Sequence, residues 1–266
     1  MKRIVWLTDI HFNFLSAEQL RNFLAAVSEA RPDAVLISGD IGEAHDVCDY
    51  LRAITQVVEA PIYFVLGNHD YYFGSIRDTR LRVAHFCEQH ERLHYLTTDG
   101  VVRLTDRVGL VGHDGWADGR LGDYPRSLVR MHDWKLIGEF KSLDKPARWN
   151  VLKQLGDEAA GHLRRVLPQA LAKYEEVVVL THVPPFREAC WHEGSISNDD
   201  WLPHFTCQAT GQVILEMARL YPQRQITVLC GHTHGEGQTQ PRPNLYVITG
   251  GADYGAPRIA RVFEFE

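Results

Sequence analysis

The chain has 266 residues, 45% of them hydrophobic, and a formal net charge of −6. This length and composition predict a single globular domain, and the acidic balance argues against a surface that grips nucleic acid nonspecifically. No stretch approaches the roughly 18 apolar residues of a membrane span, and the apolar run near the amino terminus is too short for a signal peptide.

The five cysteines are an odd number and contain no Cys-x-x-Cys spacing. Free thiols in a reducing compartment explain this pattern better than a disulfide framework does. We therefore expect a cytoplasmic protein with no membrane partner. The sequence carries no signal for its oligomeric state.

In the first half of the chain, apolar strands alternate with helical periodicity. Strands are predicted at 4–7, 33–38 and 61–66, and helices at 16–30, 44–59 and 75–89. Ser16 is the expected cap of the first helix. Strands that are each followed by a helical segment indicate a parallel sheet whose faces are covered by crossover helices.

The second half begins with a predicted hairpin over 101–111. Strands then follow at 176–180, 225–230, 245–249 and 260–265, and helices at 151–173 and 210–220. Two less regular segments, 115–149 and 187–205, are expected to form lid-like insertions of functional length.

Groups that can bind metal ions follow the predicted strands in five separate stretches. They are Asp9, His11, Asp40, Asn68, His69, His182, His232 and His234. Active sites in open α/β sheets gather at the carboxyl ends of strands, so we expect these groups to meet. Imidazole nitrogens with carboxylate and amide oxygens, and no thiolate, suit Mn, Fe, Zn or Ni. The set is large enough for a dinuclear centre, in which two ions share a bridging carboxylate.

Five motifs occur in a fixed order: Asp-x-His at 9–11, Gly-Asp at 39–40, Gly-Asn-His-Asp at 67–70, a lone histidine at 182 and Gly-His-x-His at 231–234. Together they resemble the calcineurin-like metallophosphoesterase superfamily, and the resemblance covers nearly the whole chain. It implies one domain, residues 1–266, with an α/β fold. In that fold a central mixed β-sandwich carries helices on its outer faces, giving four layers.

The resemblance also implies a role for each motif residue. Two metal ions would be held by seven side chains: the first by Asp9, His11 and His234, the second by Asn68, His182 and His232, with Asp40 bridging both. His69 would stay unligated near the leaving-group oxygen, and Asp70 would orient and charge-stabilise its imidazole. The implied reaction is in-line attack of a metal-bridging hydroxide on phosphorus, with His69 protonating the departing alkoxide.

The form of the motifs narrows the expected substrate. Protein serine/threonine phosphatases of this superfamily extend Gly-Asp into Gly-Asp-x-x-Asp-Arg-Gly and carry Gly-Asn-His-Glu, and this chain matches neither extension. Its compact size and its Gly-Asn-His-Asp resemble the class III cyclic-nucleotide phosphodiesterases, so a small phosphodiester is the first expectation. A phosphomonoesterase acting on a small phosphorylated metabolite is the alternative. A noncatalytic metal-binding scaffold is disfavoured because the ligand set is complete.

Five further residues are candidate substrate contacts: His113, Arg120, Arg126, Arg130 and His192. His113 follows a predicted strand, where it could reach the pocket rim or belong to a structural turn. The arginines could bind phosphate through paired hydrogen bonds, which would favour the monoester alternative. Basic residues in an irregular loop can equally be solvated.

Overall fold

The computed structural model describes residues 1–266. Its strands are β1 (Lys2–Leu7), β2 (Ala34–Ser38), β3 (Ile62–Val65), β4 (Leu93–Tyr95), β5 (Val102–Arg103), β6 (Val108–His113), β7 (Glu176–Thr181), β8 (Trp191–His192), β9 (Ser195–Ile196), β10 (Gln225–Cys230), β11 (Gly237–Arg242), β12 (Leu245–Thr249) and β13 (Arg261–Phe265). Its helices are α1 (Ala17–Glu29), α2 (Val47–Val57), α3 (Ile76–Glu88), α4 (Asp133–Leu136), α5 (Lys145–Lys173), α6 (Leu202–Phe205) and α7 (Gln208–Leu220).

Two mixed sheets form the centre of the molecule. The first has the strand order β13-β1-β2-β3-β4, and only β13 is antiparallel to its neighbour. The second has the order β11-β12-β10-β7-β6-β5, with parallel inner strands and an antiparallel strand at each edge. No helix combines the length and the apolar character needed to cross a bilayer.

Three buried hydrophobic clusters fill the spaces between the layers of this sandwich. Between the two sheets lie Trp6, Leu36, Val178, Leu180 and Leu229. A second cluster joins the outer face of the first sheet to α1, α2 and α3, and a third joins the second sheet to α5 and α7. The predicted α/β sandwich with helices on its outer faces is therefore confirmed. Because both faces of each sheet are buried, the inner strands are continuous apolar runs.

Local signals explain where the helices begin. Ser16 and Gln19 form a reciprocal capping box at the start of α1, as the predicted cap requires. Helix α5 begins at Lys145, earlier than predicted, because Asp144 caps it and Pro146 lies in the first turn, where no N–H is needed.

Strands β4 and β11 were not predicted. β4 has only three residues, and β11 has the polar sequence GQTQPR. Its proline is tolerated because β11 is an edge strand.

The two irregular segments are ordered and pack beside the strand ends. In the segment 115–149, Trp116, Tyr124 and Phe140 are buried in the cluster that covers the first sheet. The segment 187–205 contains the β8–β9 hairpin and α6. Both segments form walls around the ends of the parallel strands.

Asp114 links the two sheets directly behind these strand ends. It follows β6 of the second sheet and is fully buried, and its carboxylate accepts the backbone N–H of Leu66, which follows β3 of the first sheet, at 2.8 Å. It also accepts from Tyr71 at 2.7 Å, Tyr95 at 2.6 Å and Arg80 Nε at 2.9 Å. Burial would raise the pKa of Asp114, but Arg80 and these donors hold it below its ordinary value.

We predict that Asp114→Asn lowers the free energy of unfolding by ~3 kcal/mol, because it removes the buried partner of Arg80 and leaves that charge only the exposed carboxylate of Glu158. Urea titration monitored by circular dichroism measures this change. Asp106→Asn, in the exposed β5–β6 turn, is the matched control. A loss of less than ~1 kcal/mol for Asp114→Asn would show that the buried network does not hold the sheets together.

Candidate metal centre

The seven residues expected to bind metal ions meet at the carboxyl ends of strands from both sheets. They are Asp9 and His11 after β1, Asp40 after β2, Asn68 after β3, His182 after β7, and His232 and His234 after β10. Parallel strands of two stacked sheets end at the same edge of the sandwich, which explains why residues so distant in sequence become neighbours.

One group consists of Asp9, His11, Asp40 and His234, whose potential ligand atoms all lie within 4.8 Å of one another. His11 Nε2 lies 3.1 Å from His234 Nε2, which in turn lies 3.5 Å from Asp9 Oδ1. Thr8 donates a hydrogen bond of 2.5 Å to the other oxygen of Asp9. This hydrogen bond orients the carboxylate toward the two imidazoles.

A second group consists of Asn68, His182 and His232. Asn68 Oδ1 lies 3.1 Å from His182 Nε2 and 2.9 Å from His232 Nδ1. The two imidazole nitrogens lie 3.2 Å apart. Three side-chain atoms from three different loops thus surround one point.

Asp40, a member of the first group, also borders the second group and directs one oxygen toward each. Its Oδ2 is 3.6 Å from His11 Nε2 and its Oδ1 is 3.4 Å from His182 Nε2. The carboxylate has the placement that a bridging ligand needs, because two ions roughly 3.5–4 Å apart can share it.

The hydrogen bonds behind the second group fix the tautomers of its histidines. His182 Nδ1 lies 2.8 Å from the carbonyl of Ser38, and His232 Nε2 lies 3.0 Å from the carbonyl of His204. A carbonyl can only accept, so these two nitrogens carry the protons. The nitrogens that face Asn68 Oδ1 therefore present lone pairs, and a cation fits the point where three lone pairs converge.

Burial of charge at this site also favours cations. Asp40 is almost completely buried, and burial together with the nearby Asp9 raises its pKa well above the usual range. Burial lowers the pKa of His182, so its imidazole is neutral. Neutral imidazoles are the protonation state that metal binding requires, and a cation beside Asp40 would relieve the repulsion between carboxylates that raises its pKa.

Five of the ligand residues have a left-handed backbone conformation, with φ between 42° and 72°: Asp9, His11, Asp40, His232 and His234. Each turns sharply where its strand ends, which aims the side chain back toward the cluster. This conformation is uncommon outside glycine, and Asp and His are among the side chains that tolerate it.

Close packing around the cluster excludes side chains at two glycines. A Cβ on Gly67 would lie against Asp40 Oδ1, and one on Gly231 would lie against Asp9 Oδ2. At Gly39 the backbone itself requires glycine, because φ is 95°.

His69 lies beside the cluster without joining it. Its ring centroid is 4.6 Å from that of His11, and its ring nitrogens make no hydrogen bond within the chain. The backbone N–H of His69 donates to Asp40 Oδ1 at 2.9 Å, which fixes the start of this turn. Burial, followed by the neighbouring histidines, lowers the pKa of His69 to about 3.

Asp70 does not pair with His69, contrary to the expectation from the sequence. Its buried carboxylate accepts the backbone N–H groups of Ile41 at 2.9 Å, Gly42 at 2.8 Å and Gly67 at 2.8 Å. Backbone donors satisfy both of its oxygens, so Asp70 fixes the loops that follow β2 and β3 instead of orienting an imidazole.

Asp133 supports the cluster and was missed from the sequence. It is buried at the start of α4 and accepts hydrogen bonds from Asn68 Nδ2 at 3.0 Å and Tyr72 at 2.8 Å. These contacts hold the Asn68 oxygen toward the histidines. No pattern in the irregular segment around Asp133 distinguishes it from a solvated aspartate.

Two exposed aromatic side chains border the cluster and were also missed. The ring of Tyr254 lies 4.6 Å from that of His11 and 4.8 Å from that of His234, between centroids, and Phe14 packs 4.8 Å from Tyr254. Both aromatic side chains are 52% exposed. The glycine-rich stretch 250–255 is the sequence signal that could have indicated a loop near the site at Tyr254.

His113 does not reach the pocket rim. It is buried, its Nδ1 accepts the backbone N–H of Gly115 at 3.0 Å, and its ring centroid lies 5.2 Å from that of His162 in α5. The last residue of β6 therefore faces the helical layer, and the expectation of a substrate contact is wrong.

Two of the candidate arginines are held by carboxylates. Arg120 pairs with Asp118 at 3.1 Å and Asp157 at 2.8 Å. The side chain of Arg126 is 89% exposed and lies 3.6 Å from Asp123. Neither contacts a residue of the cluster.

The other two candidates have different positions. Arg130 is exposed and lines a separate cavity beside the cluster. His192 donates from Nδ1 to the carbonyl of Thr233 at 3.0 Å, so it braces the loop that carries His232 and His234.

The profile of the calcineurin-like phosphoesterase family matches residues 2–236. The chain belongs to this family and is a metal-dependent phosphoester hydrolase. A search of the curated proteins found no match to the sequence.

Solved structures share the fold at low sequence identity. Phosphopantetheinyl hydrolase from Mycobacterium tuberculosis is 13% identical, with a TM-score of 0.67 over 93% of this chain and 89% of that chain. A dimetal phosphatase from Danio rerio is 15% identical, with a TM-score of 0.60 over 96% and 89%. A protein of Thermus thermophilus is 14% identical, with a TM-score of 0.56 over 94% and 89%.

We predict that Asp40→Ala abolishes binding of both metal ions, because each group loses an oxygen and the bridge. Elemental analysis of dialysed protein after loading with manganese measures the stoichiometry. His85→Ala, which removes an exposed imidazole outside both ligand groups, is the control and should leave the metal content unchanged. Retention of two ions by Asp40→Ala would contradict the bridging role.

Proposed function

We propose that the protein hydrolyses a small phosphodiester at this centre, with His69 as the general acid. The observation that carries the proposal is the pair of ligand groups joined by Asp40, with the free imidazole of His69 beside them. When bound, two Mn, Fe, Zn or Ni ions would neutralise phosphoryl oxygens and lower the pKa of a water molecule so that it can attack phosphorus.

The positions of the arginines favour a diester over a monoester. A terminal phosphate carries a second negative charge, and the monoester alternative relied on Arg120, Arg126 and Arg130 to neutralise it. Two of these are paired with carboxylates and the third faces another cavity. A monoesterase is the second candidate, since one structure with the same fold is described as a dimetal phosphatase.

In the proposed reaction, His69 holds the proton that the leaving oxygen needs. Its imidazole is mostly buried and neutral in the free protein. A bound phosphoryl anion would raise the pKa of this imidazole, because an opposite charge favours its protonated form. Proton uptake by His69 would then accompany substrate binding.

The aromatic pair at the border of the cluster would contact the leaving group or the second ester group. Tyr254 and Phe14 are exposed on one side and packed on His11 on the other. Flat apolar rings bind an organic substituent well and contribute nothing to a bare phosphate oxygen. This border therefore also fits a substrate with two esterified oxygens.

The choice of substrate is tested with manganese-loaded protein, using bis-p-nitrophenyl phosphate, p-nitrophenyl phosphate and 3′,5′-cyclic AMP. We expect kcat/KM for the aryl diester to exceed that for the monoester by about tenfold or more, equivalent to ~1.4 kcal/mol of transition-state stabilisation. Turnover of cyclic AMP would narrow the substrate to a nucleotide. A preference for the monoester would favour the phosphatase alternative.

We predict that His69→Asn keeps both metal ions and lowers kcat for an alkyl phosphodiester by about 100-fold or more, because alkoxide departure needs a proton. A p-nitrophenyl leaving group hardly needs one, so the same variant should retain most activity on the aryl diester. Steady-state kinetics on both esters, with His45→Asn as control, measure the difference. Equal losses on the two esters would contradict the general-acid role.

A further inference from the structure

A cavity of about 320 Å³ lies beside the metal centre. Its walls come from the segment 115–149, the first turn of α5 and the short helix α6. The lining side chains that matter here are Tyr124, Arg130, Trp134, Lys145, Arg148 and His204. None of the residues described above as metal ligands lines it.

The cavity is positively charged and contains no acidic residue among its lining groups. Lys145 donates only to the carbonyls of Pro125 at 2.9 Å and Ser127 at 2.7 Å. Arg148 stacks over Trp134, 4.8 Å from the ring centroid, and donates to a backbone carbonyl. No ion pair compensates either charge, in a chain whose net charge is −6.

Exposed Arg130 adds a third cation to this wall. It forms no ion pair, whereas Arg126 in the same segment pairs with Asp123. The carboxylate nearest in sequence to Lys145 is Asp144, and its side chain accepts a hydrogen bond in the cap of α5. These positive charges therefore have no counter-charge within the chain, and a ligand that enters the cavity would supply it.

Three buried polar atoms of the lining residues have no hydrogen-bond partner: Tyr124 Oη, Arg148 Nε and His204 Nδ1. Tyr124 is 1% exposed and His204 is 4% exposed, so bulk water does not satisfy them. Buried polar atoms without partners are rare in folded proteins because each costs free energy. Two N–H or O–H donors and fixed cations in one concave site indicate an anionic ligand.

The cavity is connected to the metal centre through two residues. The carbonyl of His204 accepts from His232 Nε2 at 3.0 Å. Trp134 follows Asp133, whose carboxylate accepts from Asn68 at 3.0 Å. Both connections run to the second group of metal ligands, so an anion in the cavity would lie on that side of the reacting phosphorus.

We propose that this cavity binds a phosphoryl group. The group is either a second phosphate of the substrate or free inorganic phosphate. The first possibility rests on the proposed hydrolase function, and the second does not. Tyr124 O–H and Arg148 Nε–H would donate to its oxygens, and Lys145 and Arg130 would supply charge.

Isothermal titration calorimetry of the manganese-loaded protein with inorganic phosphate tests binding at the cavity. We expect two sites, one lost in Asp40→Ala and the other weakened about fivefold by Tyr124→Phe and by Arg130→Gln. The Tyr124 hydroxyl lies beside the Arg148 guanidinium, so the unfolding temperature of Tyr124→Phe is measured in parallel to show that the variant stays folded during the titration. Arg126→Gln, whose cation lies outside the cavity, is the matched control and should bind as the wild type does.

A kinetic comparison separates the two sources of the phosphoryl group. Thymidine 5′-(p-nitrophenyl phosphate) carries one phosphoryl group, and its 3′-phosphorylated form carries two. If the second group belongs to the substrate, Tyr124→Phe raises KM about fivefold for the doubly phosphorylated ester alone. If free phosphate is the ligand, KM for both esters is unchanged while the titration still shows weaker binding.

A single phosphate site, or a second site that Tyr124→Phe and Arg130→Gln leave at wild-type affinity, would overturn the proposal. Absence of hydrolysis of both thymidine esters would overturn the proposed hydrolase activity on such diesters. The titration would then still decide on the cavity, because it requires no turnover.

Discussion

The structure depends on holding seven candidate metal ligands close together in a buried site where, without cations, their lone pairs and carboxylate charges repel one another. Asn68 Oδ1 and two bare imidazole nitrogens converge within 3.2 Å. Hydrogen bonds behind them prevent relaxation: His182 donates to Ser38, and His232 donates to His204. A preformed set of lone pairs binds ions tightly because little reorganisation is needed when the ions arrive.

The backbone bears part of the cost of this arrangement. Five ligand residues have positive φ, a conformation that costs of order 1–3 kcal/mol each when the surroundings impose it. The sandwich can hold them because its strands are buried on both faces. Asp70 and Asp114 add fixed hydrogen bonds directly behind the strand ends, so the loops cannot relax independently of the sheets.

The sequence predicted the parts of the site that follow regular strands. Asp40 and His182 stand after apolar runs, and the five motifs resemble one superfamily, so the fold and the grouping of the ligands could be inferred. Residues in irregular segments, such as Asp133 and Tyr254, carry no periodic signal. His113 was misplaced because β6 continues to that residue: it shares the face of Val111, which packs on the helical layer. Asp70 was misplaced because sequence adjacency does not reveal backbone donors brought in by another loop.

Each group of ligands takes side chains from both halves of the sandwich. Asp9, His11 and Asp40 come from the first sheet and His234 from the second, while Asn68 faces His182 and His232 across the same seam. Bound ions would therefore link the two sheets, each of which has its own ladder of hydrogen bonds. On loss of the ions, the two sheets would separate first at the catalytic edge, while the buried cluster that contains Trp6 and Leu229 would still hold them together behind it.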